Sequence, residues 1–366
     1  MILTLWLFLI EGEKGSAGEK GSQGKQGQKG TPGTCDAQGS SCCTAGCSTG
    51  FHLFEKVQDL PTRGAKAVEH FTIDGSLFLA FANYYGDIHK HKTSSMIYKM
   101  DEPSGKFNLY QTLQTRGARR FEYFSISDKH FLAVANQWTD GSHQLDSVVY
   151  QWNGLKFIVF QKISTNGGSQ FTSFTISGEK YLAVANYHDG SSRSTKSVIY
   201  KWSSGKFNKF QEIATEGGHF VKLQTLQTYG ALDVKSVNIN GHTFLAFANH
   251  YSGSKYNTDS FIYKWDGNKF GLFQSIPTRG ATSWYPFAIS GQTYLGVANY
   301  YGDSQKYNTQ SAVYQASGPR FIEYQEIPTQ GARDMTSFEY KGQTYLAVVN
   351  YYNQKYNINS ALYRWA

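Results

Sequence analysis

Four carboxylates stand at related places along the chain: Glu69, Glu122, Asp233 and Asp334. Oxygen ligands brought together from separate strands suit Ca²⁺, a hard cation. They could face a central channel as structural Ca²⁺ ligands, but the four fall at two different offsets from the blade glycine, which makes the signal weak. No other cofactor is expected. His89 and His91 form a second metal candidate, weighed against ordinary exposed histidines. Cys35, Cys42, Cys43 and Cys47 lie within thirteen residues, and the rest of the chain has no cysteine. An even, clustered set reads as local or interchain disulfides in an oxidising compartment. Zinc is the rival reading, but paired C-x2-C knuckles are missing and no histidine lies inside the cluster. For catalysis the chain offers neither a Gly-x-Ser-x-Gly elbow nor a Ser-x-Asp-x-Gly box, and no recurrent His/carboxylate pair. An enzyme is not expected.

Aromatic residues make up 16% of the chain, with 26 Tyr, 25 Phe and 7 Trp against only 17% charged residues. This excludes a disordered chain and a long coiled coil. Aromatic and arginine side chains dominate binding hot spots. Tyr84, Tyr85, Trp138, Tyr187, Tyr251, Tyr300, Tyr301 and Tyr351, with Arg63, Arg116 and Arg279, are the candidate partner contacts. The competing reading is that these tyrosines cap a core. Net charge is +8, from 35 basic and 27 acidic residues. The longest basic run is Arg119-Arg120, so no tract for nucleic acid exists. Lys106, Lys156, Lys206, Lys269 and Arg320 recur singly and could meet a sulfated glycan, against a plain solvated rim.

The elements that must position these residues are repeats. An aromatic start recurs at Phe54, Phe107, Phe157, Phe207, Phe220, Phe270 and Phe321. The spacings are 53, 50, 50, 13, 50 and 51 residues. Each unit of about fifty has four strand-like runs joined by tight turns, which describes a β-propeller blade. The chain opens on a fourth strand and ends on a third, so the first run completes the last blade. The expected fold is all-β: six complete blades, a ring closed by the N-terminal strand, and a truncated remnant of a seventh. Between Phe207 and Phe220 about 37 residues of a regular unit are missing. Asn83, Asn136, Asn186, Asn249, Asn299 and Asn350 recur at one position in every complete unit, which marks scaffold. Trp152, Trp202, Trp265 and Trp365 read as interblade packing.

Before the repeats come three short regions. Residues 1–10 are an apolar leader, an incomplete signal segment. Residues 11–33 carry glycine at every third position from Gly12, a collagen-like stalk with one proline, Pro32. Residues 34–50 form the cysteine-rich linker, and 51–366 the propeller.

The repeats resemble the epilepsy-associated (EAR, or epitempin) family. The matching residues are the Gln-x-Ile-Pro-Thr-x-Gly-Ala openings at Gln274–Ala281 and Gln325–Ala332, YLAVANY at 181–187 and SVIYKW at 197–202. The resemblance implies a secreted or cell-surface propeller, usually of seven blades, that binds extracellular proteins. The leucine-rich repeats of the neuronal relatives are lacking here, so their partners do not transfer. The expected function is an extracellular protein-binding module made multivalent by a homotrimeric stalk, with its partner unidentified. A structural matrix protein is the alternative, and an anionic glycan is a second candidate ligand.

Overall fold

The computed structural model describes residues 53–88, 90–139, 141–192, 195–214 and 224–366. The leader, the collagen-like run, the linker with Cys35, Cys42, Cys43 and Cys47, and also Phe51, His89 and Phe220 lie outside the described residues.

After β1 (Phe54–Pro61), blade 1 is built from β2 (Ala65–Ile73), β3 (Ser76–Asn83), β4 (Ser94–Asp101) and β5 (Lys106–Gln114). Blade 2 follows as β6 (Ala118–Ile126), β7 (Lys129–Asn136), β8 (Gln144–Trp152) and β9 (Phe157–Asn166). Blade 3 is β10 (Gly168–Ile176), β11 (Glu179–Asn186), β12 (Lys196–Ser203) and β13 (Lys206–Ala214). Blade 4 is β14 (Ala231–Ile239), β15 (His242–Asn249), β16 (Asn257–Trp265) and β17 (Phe270–Arg279). Blade 5 is β18 (Ala281–Ile289), β19 (Gln292–Asn299), β20 (Gln310–Ser317) and β21 (Arg320–Pro328). Blade 6 joins the two ends of the chain: β22 (Ala332–Tyr340), β23 (Gln343–Asn350) and β24 (Asn359–Trp365) are completed by β1. The architecture is therefore the expected propeller of four-stranded antiparallel blades, with the first strand closing the last blade.

Local chemistry sets each part. The second strands are continuous apolar runs such as Leu77–Ala82, buried on both faces because a blade lies on either side. The outer strands are mostly exposed and are anchored by buried residues near each end, such as Phe107 and Leu113 in β5. Asp74-Gly75 and Ser290-Gly291 both have positive φ at two successive residues, the hairpin turn that matches strand twist.

Blades are locked by one repeated side chain. The Gln58 amide donates to the Phe107 carbonyl at 2.7 Å and accepts from the Phe107 N–H at 2.9 Å. The same two-way latch joins Gln111 to Phe157, Gln161 to Phe207, Gln224 to Phe270, Gln274 to Phe321 and Gln325 to Phe54.

One junction differs. The inner strands pack in sequence β22–β2–β6–β10 and β14–β18–β22, but no comparable packing joins β10 to β14 among the described residues. Five apolar cores each mix two neighbouring blades. A sixth belongs to blade 4 alone: Leu245, Phe247, Phe261 and Tyr263, backed by Leu226. On the facing side of blade 3, Ile176 is 55% exposed and Phe210 57%, whereas Ile73, the blade 1 counterpart of Ile176, is 2% exposed. Gln211, the remaining copy of the latch residue, has no latch among the described residues. Residues 224–228 still hold the place of an outer strand. Gln224 latches to Phe270, and the Tyr263 hydroxyl donates to the Gln227 carbonyl at 2.8 Å, as Tyr98 does to Pro61. The remnant of the seventh unit is thus visible as a strand position without the rest of its blade.

This gap also corrects the reading of the tryptophans. Trp152 meets Phe78 of the preceding blade at 5.6 Å, Trp202 meets Phe131 at 5.5 Å, and Trp365 meets Tyr294 at 5.5 Å. Among the described residues, the one ring contact of Trp265 is with Phe270 of its own blade, at 4.9 Å.

Candidate functional site: the loop face and the channel mouth

The loops after the second and fourth strands gather at one end of the propeller, and the six asparagines build that end. Asn83 accepts from the Arg63 N–H at 3.2 Å, donates to the Ser94 carbonyl at 2.8 Å, and its own N–H reaches the Ser95 hydroxyl at 3.1 Å. Asn136, Asn186, Asn249, Asn299 and Asn350 repeat this three-way bond. Each ties the turn before its inner strand to the third strand, rather than only its own loop.

Next to each asparagine sits the blade glycine. Gly64 has φ +50°, and a Cβ there would lie 2.3 Å from the Tyr85 carbonyl oxygen. Its carbonyl accepts the Tyr84 N–H at 2.9 Å, and its own N–H donates to the Tyr356 carbonyl of blade 6 at 2.7 Å. The glycine therefore fixes two aromatic loops at once, which requires both the left-handed φ and the missing side chain. Two aspartates clamp neighbouring loops: Asp87 accepts from the Tyr356 and Asn357 N–H groups, and Asp303 from those of Tyr256 and Asn257.

The loop aromatics divide into two rings. The first residue after the asparagine turns inward in every blade but blade 3, where Tyr187 is exposed. Tyr84, Tyr300 and Tyr351 belong here, and burial pushes all three phenols up from their ordinary value. Tyr351 is only 8% exposed, so it supports the surface rather than presenting one. His250 takes the same position. Burial and Arg333 lower it to about 4, so it is neutral at pH 7, with Nδ1 3.1 Å from the Gly280 carbonyl.

The second residue joins an outer belt. From blade 4 it runs Tyr251–Tyr256 (4.8 Å between ring centroids), Tyr256–Tyr301 (4.7 Å), Tyr301–Tyr307 (4.9 Å) and Tyr307–Tyr352 (4.6 Å). It continues Tyr352–Tyr356 (4.6 Å), Tyr356–Tyr85 (4.5 Å), Tyr85–His91 (4.7 Å) and His91–Trp138 (6.2 Å). Trp138–His143 (4.3 Å) and His143–His188 (4.6 Å) carry it to blade 3. Tyr187 and Tyr251 are exposed near the two ends of the belt, on the blades that flank the gap. Of the flanking arginines, Arg116 is exposed, Arg63 is half-buried, and Arg279 is paired with Glu326 at 3.1 Å. Tyr256, Tyr307, Tyr352, Tyr356, His91 and His143 were not among the residues expected to make contacts. The threefold Lys-Tyr-Asn at 255–257, 306–308 and 355–357 was the signal for Tyr256, Tyr307 and Tyr356.

Below the mouth, the inner strands line the channel in two tiers. Arg120 reaches across to Asp334 at 3.2 Å, and Asp334 also accepts from Ser283. Asp233 accepts from Lys235 at 2.7 Å and from the Trp284 N–H at 3.1 Å. Glu122 accepts the Ser173 N–H at 2.8 Å. Burial and the charge of Glu122 push Glu69 up to about 8, so it is mostly protonated at pH 7. Among the described residues, no three or more His, Cys, Asp or Glu side chains form a group that could hold a metal ion. Of the four carboxylates expected to face Ca²⁺, Asp334, Asp233 and Glu122 meet arginine, lysine, serine or backbone donors, and Glu69 is raised to about 8. On the opposite end, Lys106, Lys156, Lys206, Lys269 and Arg320 are all exposed at the turns before the outer strands.

Fold and site together define a non-helical repeat propeller with an aromatic loop face and a charge-paired channel. The EPTP domain model matches it six times, at residues 53–101, 106–153, 156–203, 219–266, 269–315 and 320–366. The chain belongs to the EPTP, or EAR-repeat, family. It is 34% identical over 322 residues to the human thrombospondin-type laminin G domain and EAR repeat-containing protein, covering 85% of this chain and 39% of that one. The mouse protein of the same name is 33% identical over 322 residues, with the same coverage. The chain thus spans about two-fifths of the length of the curated relatives it matches. Among solved structures, Penicillium chrysogenum α-L-arabinanase complexed with arabinobiose has a TM-score of 0.52 at 12% identity, covering 84% of this chain and 98% of that one. That likeness shows the fold alone.

Proposed function

We propose that this chain is an extracellular, non-catalytic propeller that binds a protein partner through its loop face. The observation that carries the reading is the outer belt: a run of Tyr, His and Trp rings in tilted or T-shaped contact across all six blades, outside the buried inner ring. Such rigid aromatic surface is what protein interfaces concentrate. The family supports an interaction module, and the names of the curated relatives, with their thrombospondin-type laminin G domain, support an extracellular setting. The collagen-like residues 11–33 make the module trimeric, which raises avidity without new contacts.

A photo-crosslinking amino acid placed at Tyr352 in the full chain tests the reading on living cells. A discrete cross-linked surface protein is expected there, and none from the same group placed at Lys206 on the opposite end. Equal capture from both positions contradicts it. The trimer is tested by native mass: a reducible trimer is expected, and a reductant-insensitive monomer contradicts it.

A further inference from the structure

Every inner strand carries a β-bulge immediately after its first residue, Gly168 in β10 and alanine in the other five, where pairing skips one residue. A bulge re-aims a side chain out of the ladder. The bulged residues are Lys66, Arg119, Ser169, Leu232, Thr282 and Arg333. The three cations therefore stand at one register on adjacent strands β22, β2 and β6, on one half of the channel mouth.

Like charges this close repel, and none of the three is in an ion pair among the described residues. The nearest acid in sequence, Asp334, is taken by Arg120 and Ser283. The cations rest on the inner ring instead. Lys66 Nζ is 3.5 Å from the Tyr84 ring centroid and 5.5 Å from that of Tyr351. The Arg333 guanidinium is 3.9 Å from Tyr300 and 5.0 Å from Tyr351. Arg333 Nε is buried with no hydrogen-bond partner. Burial, with Arg119 and Arg333 beside it, holds Lys66 well below its ordinary value, and burial lowers Arg119 as well. Aromatic faces relieve part of this cost, but only an anion supplies the missing charge and acceptors.

We infer that Lys66, Arg119 and Arg333 form an anion site that receives a single carboxylate, the Asp or Glu side chain of a protruding partner loop. The inference rests on the protein-binding reading above. A carboxylate suits it because guanidinium groups bind planar oxyanions with two parallel bonds. An extended polyanion is disfavoured. The cations are gathered at one recessed point inside the belt, whereas a sulfated chain needs charge spread along a stripe.

The test titrates the full chain with N-acetyl-glutamate methylamide, its glutamine analogue, inorganic sulfate and a heparin-derived hexasaccharide, followed by NMR. Saturable binding of the glutamate probe, absent for the glutamine analogue, is expected. Arg119→Gln and Arg333→Gln should each weaken it about tenfold, the scale of one partly screened charge pair. Lys106→Gln should leave it unchanged. Should an arginine variant fail to fold, Lys66→Gln carries the same prediction. Undiminished glutamate binding in these variants overturns the site, as does tighter binding of the hexasaccharide that depends on the same residues. Either result leaves the belt reading standing. A cross-linker at Tyr352 that captures nothing while glutamate binding is intact overturns the protein partner instead.

Discussion

At the scale of single residues, the loop face depends on a glycine and the channel on a protonated acid. Gly64→Ala must abandon φ +50° or push away the Tyr85 carbonyl, whose oxygen lies 2.3 Å from the new Cβ. A loss of about 2 kcal/mol or more is expected, read as a fall in unfolding midpoint. Glu69 is raised from 4.5 to about 8 by burial and Glu122. The folded state thus keeps a proton that the unfolded chain releases, and stability falls as pH rises from 4.5 to about 8. Glu69→Gln should therefore raise the melting temperature at pH 8 and leave it nearly unchanged at pH 4. An equal effect at both would contradict this assignment. The two rings of tyrosine were not separable in the sequence, because Tyr84-Tyr85 and Tyr300-Tyr301 are adjacent and chemically alike. Only the loop's anchorage on the glycine sends one inward and one outward. The partners of the carboxylates were hidden for a different reason. Arg120 occupies in blade 2 the position that Asp334 occupies in blade 6, and Lys235 that of Glu69, so the channel carries its own counter-charges.

At the scale of elements, repetition made the fold legible. Four strand runs per unit, the closing N-terminal strand and the scaffold asparagines all follow from residues that recur in register. The latch glutamine recurs too, but its reach into the next blade is a tertiary fact that spacing does not show. It yields a paired prediction. Gln274→Ala removes two hydrogen bonds to Phe321 and should cost about 1–3 kcal/mol in denaturant unfolding. Gln211→Ala, at the same repeat position beside the gap, should cost almost nothing. Equal costs would mean that Gln211 makes a latch of its own.

At the scale of the whole molecule, the short step between Phe207 and Phe220 leads to a junction where, among the described residues, blade 3 keeps Ile176 and Phe210 exposed. Phe210→Lys should be tolerated, whereas Phe160→Lys in the intact junction between blades 2 and 3 should destabilise the fold clearly, because Phe160 packs on Trp202 at 5.7 Å. The gap lies between Tyr187 and Tyr251, so it interrupts the inner core without reaching the remaining belt. The central claim is that this belt is the recognition surface. Its most direct measurement is a saturation curve for the labelled full-length protein on intact cells. Tyr85→Ala with Trp138→Ala and Tyr301→Ala should reduce binding at least about tenfold, while Lys106→Gln with Lys206→Gln leaves the curve unchanged. Retained binding by the belt variant, or loss in the opposite-end variant, would contradict the account.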